Sequence, residues 1–212
     1  MKENGLSAPE MIDRTLAAAF RRRALARAKG GEDFLLLHAA NDLADRLLAV
    51  DRKFEKAARI ASFPARAAEL LTAGNRIGAL DEVAVHDAPE ETLPLEPGSL
   101  DLVLSLLTLH ETNDVPGALI QMKRALKPDG LMLAVMPGGE TLRELRFALT
   151  QAETEIYGGA SPRALPFADV RAAGALLQRT GFALPVTDVE TLTVRYDSLF
   201  ALMADLRGMG AQ

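Results

Sequence analysis

LDLVLSLLTLHETNDVPGALIQMKRALKPDGLMLAV, residues 100–135, decides the fold. Its opening, LDLVLSLL, is apolar except for Asp101 and Ser105 and reads as a strand buried on both faces. Asn113-Asp114-Val115-Pro116 then starts a helix with Leu119, Met122 and Leu126 on its inner side. Lys123, Arg124 and Lys127 gather near the carboxyl end of that helix, where its dipole favours cations, before Pro128-Asp129-Gly130. Leu131–Val135 is the next strand. A strand, a helix and a second strand in this order form a parallel crossover unit.

Working outward, the same alternation extends both ways. Upstream, RIASFPARAAELL (59–71) begins as a buried strand over 58–63 and runs into a helix with Pro64 in its first turn, ending before Gly74. Next comes RIGALDEVAVHD, 76–87, which could hold strands at Arg76–Leu80 and Glu82–His86. Neighbouring parallel strands need a crossover of about a dozen residues, so only one of the two can be a full parallel strand unless they form a hairpin. Downstream, Leu142, Leu145, Leu149, Ala152 and Ile156 mark a long amphipathic helix, and a further helix covers 168–180. Phe182–Val186 and Val189–Tyr196 read as paired strands, and Ser198 can cap a last helix. The expected fold is therefore α/β, an open and mostly parallel sheet with an antiparallel ending.

Two helices precede the first strand. One spans 7–29, opening on the capping pattern Ser7-Ala8-Pro9-Glu10, with Ile12, Leu16 and Phe20 at helical spacing. The second starts near Asp33, with Leu36, Ala40, Leu43 and Leu47 on one face. These divide the chain into N-terminal helices, 1–52, packing on the core, and a main domain, 53–212. Ile12, Leu16 and Phe20 are expected to be buried against the cleft or the sheet. The last helix, with Leu199, Phe200, Leu202 and Met203, is expected to leave apolar surface exposed or paired with a second copy, a homodimer.

Composition narrows the function. Of 212 residues, 49% are hydrophobic and 25% charged, a globular balance. The net charge of −5 weighs against nucleic acid as the main partner. No cysteine is present, which removes disulfides and thiolate chemistry and fits a reducing compartment. No apolar run is long enough for a transmembrane helix, and MKENGLSAPEMIDR is too polar for a secretory signal. The expected location is cytoplasmic.

The stretch SLDLVLSLLTLHETNDVPGALIQMKRALKPDGLMLAVMPGGETLRELRFAL resembles the class I S-adenosylmethionine (SAM) methyltransferases. Its marks are the strand LDLVLS, the spacing His110…Asp114 and the helix-KPDG-strand unit. PGGETLRELR, AETEIYGGASPRALPF, LLQRTGF and LMADLRGMG resemble more narrowly a branch that holds two kinds of protein. These are the mitochondrial complex I assembly factor and the biotin-synthesis malonyl-carrier-protein methyltransferase. The resemblance implies a Rossmann-like sheet, and the missing crossover between 76 and 87 adds the expectation of a reduced nucleotide half, one parallel strand short of the family's seven. It also implies a methyltransferase of the type 11 kind with SAM as cofactor and a protein substrate or assembly client as partner. Arginine hydroxylation, or a non-catalytic assembly role, is the alternative.

The same resemblance locates the cofactor contacts. Where the family carries a glycine-rich loop after the first strand, this chain has Ser62-Phe63-Pro64. Phe63 adds bulk where glycines let a ligand approach the backbone, and proline removes an N–H. The cofactor-side candidates are Ser62, Phe63, Glu82 (or Asp81) for the ribose, Asp87 for adenine, Leu106 and His110. Gly138, Gly139, Glu140 and Arg143, just past a strand's carboxyl end, are the substrate-side candidates, with less support for Arg163. No catalytic residue stands out, and methyl transfer from a sulfonium needs little acid–base help. SAM binding is expected to be weak or lost.

Several residues have a blander reading. Asp101 is best read as a buried carboxylate satisfied by backbone. His110 is balanced between lining the cleft and bonding local backbone. His38 and His86 lack acidic partners at ligand spacing, so no metal site is expected. The basic run Arg21-Arg22-Arg23…Arg27 reads as a solvated helix face, in preference to a membrane or acidic-partner surface.

Overall fold

The computed structural model describes residues 10–27, 33–61, 63, 67–84 and 91–211. Two helices, α1 (Arg14–Arg27) and α2 (Phe34–Ala49), lead into strand β1 (Phe54–Ala61). Then follow α3 (Ala68–Thr72), β2 (Ile77–Ala84) and β3 (Leu100–Leu106). A short 3-10 turn at Leu109–Glu111 precedes α4 (Val115–Ala125) and β4 (Leu126–Val135). The chain closes with α5 (Arg143–Tyr157), α6 (Val170–Arg179) and α7 (Leu199–Gly208).

The four strands are parallel, in the order β2-β1-β3-β4. The chain runs outward from β1 to β2, returns to β3 and continues to β4. The direction of winding therefore reverses between β1 and β3, and open α/β sheets bind ligands beyond the carboxyl ends of the strands at such a switch point. Among the described residues of this stretch, 76–84, one strand forms, β2, at the sheet edge beside β1.

The sheet is covered on both faces. Phe54, Ala57, Ala61, Leu102, Leu104 and Leu106 pack beneath Leu36, Ala40, Leu43 and Leu47 of α2 and Leu71 of α3. On the other face Ala58, Ile60 and Val103 meet Ala118, Leu119, Met122 and Ala125 of α4. Alternation along β3 sends Leu102, Leu104 and Leu106 to one side and Val103 to the other. Asp114 caps α4, its carboxylate accepting from the Gly117 N–H at 2.8 Å.

Asp101 lies near the amino end of β3, opposite the switch point. Its carboxylate accepts from the Lys56 N–H at 2.9 Å and from Lys127 Nζ at 3.0 Å. The Lys56 amide first, and then the Lys127 ammonium, hold its pKa below the ordinary value of 3.8. The carboxyl thus binds its proton less readily folded than unfolded. Its stabilising contribution is complete above the unfolded-state value and is lost as pH falls through the lowered folded one. Asp101→Asn is expected to cost about 1–3 kcal/mol near neutral pH, read by urea denaturation. The gap between the two proteins should narrow below pH 4 or so.

Three expectations are corrected. The antiparallel ending is absent: Phe182–Val186 and Val189–Tyr196 are all described, and none is in a strand. This segment is tied to α2 instead, through Arg46 to Asp188 at 3.0 Å and His38 to Glu190 at 3.2 Å. Leu184, Val186 and Val189 stay exposed, and α5, α6 and α7 have no buried residue. Secondly, Leu16 of α1 is exposed and Ile12 and Phe20 only half-buried. Thirdly, the face of α1 that is buried holds Arg21 and Ala24, so the basic run is not wholly solvated. In the last helix Leu199 and Phe200 are exposed, as expected, while Leu202 and Met203 are half-buried.

Candidate functional site

Beyond the carboxyl ends of β1, β3 and β4, side chains from distant parts of the sequence form an arc. Register aligns Ala61 with Leu106 and Leu106 with Val135, so the loops that follow these strands emerge side by side. Phe63 follows β1 and packs against the α2-side core. Leu106 ends β3 fully buried, and the Leu107 N–H continues the pairing to Val135 O at 2.9 Å.

α1 closes over this end of the sheet. Arg21, almost fully buried, donates from Nη1 to Glu111 Oε2 at 3.0 Å. Asn113 clasps the chain just ahead of α1: its Oδ1 accepts from the Met11 and Ile12 N–H groups, and its Nδ2 donates to Ile12 O. α1 also packs on α7. Gly210, with φ +78°, fits there because a Cβ would stand 3.2 Å from Arg21 Cγ and 3.6 Å from Phe63 Cζ. Phe63, Arg21 and the end of α7 thus meet at the switch point.

The arc continues toward β4. His110 Nε2 lies 3.8 Å from Glu111 Oε1, and its ring centroid is 6.1 Å from that of Phe167. The Arg146 guanidinium stands over the same ring, 5.9 Å from the Phe167 centroid, and donates to Gly139 O. Gly138 O accepts from the Thr141 N–H, turning the chain toward α5. Glu140 and Arg143 are exposed and pair with each other at 3.2 Å.

The sequence-derived candidates therefore divide. Phe63, Leu106, His110, Gly138 and Gly139 all lie at the carboxyl end of the sheet, with Glu140 and Arg143 at its rim. Glu82 sits within β2, opposite Arg59 of β1, and its carboxylate is held by the fully buried Arg59 guanidinium. Ser62 and Asp87, like Pro64, His86 and Ser7, lie outside the described residues. Arg21, Glu111, Arg146 and Phe167 were not legible as site residues. The first pair joins positions 90 apart in sequence, and no local pattern marks one arginine of a basic run as buried. Among the described residues no group of acidic and histidine side chains could hold a metal, and no helix is long and apolar enough to cross a membrane.

Residues 31–134 match the family model of the methyltransferase domain. That match takes in just under half of the chain, which is similar there to class I methyltransferases. This methyltransferase-like chain is 49% identical over 123 residues to the mouse and human proteins named arginine-hydroxylase NDUFAF5, mitochondrial. That match covers 58% of the chain and 36% of each relative. It is 36% identical over 124 residues to a malonyl-[acyl-carrier protein] O-methyltransferase of Gallionella capsiferriformans, covering 58% of the chain and 41% of that protein. These matches take in well under half the length of the relatives. Among solved structures, the chain resembles a putative methyltransferase in complex with the Trm112 methyltransferase activator of Haloferax volcanii. The TM-score is 0.52 at 14% identity, over 82% of this chain and 77% of that one. The YcgJ protein of Bacillus subtilis gives a TM-score of 0.50 at 15% identity, over 69% of each chain. At such identities the likeness speaks for the fold alone.

Proposed function

We propose that this methyltransferase-like chain has a degenerate SAM site, and that SAM binding is weak or lost. One observation carries the reading: Phe63, Arg21 and Gly210 converge where the carboxyl ends of β1 and β3 would receive the cofactor. A glycine loop leaves room for a ligand against the backbone, whereas here an aromatic ring and a buried guanidinium occupy the approach. SAM carries a sulfonium cation, so a neighbouring guanidinium opposes it except as Glu111 offsets the charge. Glu82, the acid expected for the ribose hydroxyls, is engaged by Arg59. The residues described do not fit SAM well.

The function supported best is then that of a binding or assembly protein on a methyltransferase scaffold, with a protein client engaged near Gly138, Gly139, Glu140 and Arg143. The division into N-terminal helices, 1–52, and a main domain, 53–212, a cytoplasmic location and pairing of exposed α7 surfaces in a homodimer belong to the same proposal. A second reading, an arginine hydroxylase-type assembly factor of respiratory complex I, is favoured by the 49% identity to relatives of that name. Calorimetric titration of the chain with SAM and S-adenosylhomocysteine tests the main reading. The expected result is no saturable heat at micromolar ligand; clear micromolar binding would restore the enzyme reading.

A further inference from the structure

Beside the arc, the first turns of α5 and the loop 161–164 enclose a cleft of about 400 Å³. Arg143, Arg146, Phe147 and Thr150 line it from one face of α5, at the helical spacing i, i+3, i+4 and i+7, and Ser161 and Arg163 face them. Three guanidinium groups thus share one small concavity.

One of the three is held by a carboxylate across the cleft. Arg163 Nε donates to Glu153 Oε1 at 2.7 Å, and the Ser161 N–H donates to Oε2 of the same carboxylate at 2.8 Å. The Arg163 guanidinium, followed by the Ser161 amide, brings the Glu153 carboxyl down to about 2. One wall of the cleft therefore already holds a carboxylate, supplied by the chain itself.

Arg143 and Arg146 remain on the other wall. Among the described residues Arg143 pairs with Glu140, an exposed i,i+3 contact of the kind that contributes little and exchanges easily. Arg146 is fixed by Gly139 O and the Phe167 ring, and its buried Nε has no hydrogen-bond partner among the described residues. Buried donors are nearly always bonded, so the described residues leave this guanidinium with unused donor capacity. Both cations also lie in the first turns of α5, which has no capping side chain and whose dipole adds positive potential there. Glu144, the acid of that first turn, lies about 100° round the helix from Arg143. Phe147 is largely exposed and offers an aromatic wall.

We propose that this cleft binds a small organic anion, a carboxylate or phosphate borne next to an apolar or aromatic group. Arg146 supplies the fixed fork, Arg143 leaves Glu140 to complete the oxyanion contacts, and Phe147 covers the apolar part. A cleft of about 400 Å³ is within the range of small-ligand sites. The inference deepens the reading of this side as the client or substrate side. Its test uses no cofactor, so silence toward SAM leaves it standing.

The full chain is titrated with benzoate and phenyl phosphate, with benzamide as the neutral control. Saturable millimolar binding of either anion, and none of benzamide, is expected, and the tighter anion identifies the preferred oxyanion. Arg146→Gln should weaken that binding by about tenfold or more and Arg143→Gln severalfold, with circular dichroism showing both variants folded. Added salt should weaken it as well. Equal binding of benzamide, no saturation by either anion, or indifference to both substitutions would overturn the proposal.

Discussion

Leu104→Ala is expected to lower the unfolding free energy by about 3–5 kcal/mol. Leu104 lies in the middle of β3, fully buried, with parallel neighbours in β1 and β4. Its side chain belongs to the cluster roofed by α2, so truncation leaves a cavity whose walls are two strands and a helix that cannot close on it. Phe200→Ser, by contrast, should change stability by less than about 0.5 kcal/mol, since Phe200 is 83% exposed on α7. Urea denaturation of both variants tests the idea that β1–β4, α2 and α4 carry the stability while α5–α7 add little. A loss of several kcal/mol on Phe200→Ser would refute it.

Phe63→Gly is expected to strengthen S-adenosylhomocysteine binding by at least about tenfold, near 1.4 kcal/mol. The substitution removes the ring that packs at the switch point beside Gly210 and Arg21, and restores the residue type that lets a ligand approach the backbone. S-adenosylhomocysteine, a thioether, lacks the sulfonium charge, so the titration reads space and not repulsion from Arg21. Phe63→Ala should give a smaller gain, because the β-carbon remains. Unchanged or weaker binding in both variants would mean that Phe63 does not obstruct the site.

The expected strengths of these two effects follow from different levels of organisation. Leu104 is recognisable as core from LDLVLS alone, since a run apolar at every position must be covered on both sides. Phe63 is visible in sequence only as a departure; what it touches depends on α7, which returns nearly 150 residues later. Likewise a single strand between 76 and 87 follows from the reach of a crossover, and the described residues of that stretch, 76–84, hold one. The reading of 182–196 as strands failed for the converse reason. Alternating Thr and Val satisfy a local pattern, but a strand needs an edge to pair with and a layer to cover it, and neither is written locally.

Residue order by itself determined the β3–α4–β4 unit, the helix start at Asn113–Pro116, the cap at Ser198, and the parallel α/β class, because periodicity, dipole-matched charges and turn residues act within a few positions. Tertiary structure alone decided which charges are buried. Arg21 and Arg22 are adjacent and chemically identical, yet only Arg21 meets Glu111, and Glu82 meets Arg59 only because β1 and β2 align in that register. A buried charge is tolerable only beside its countercharge, and that neighbour is chosen by the fold.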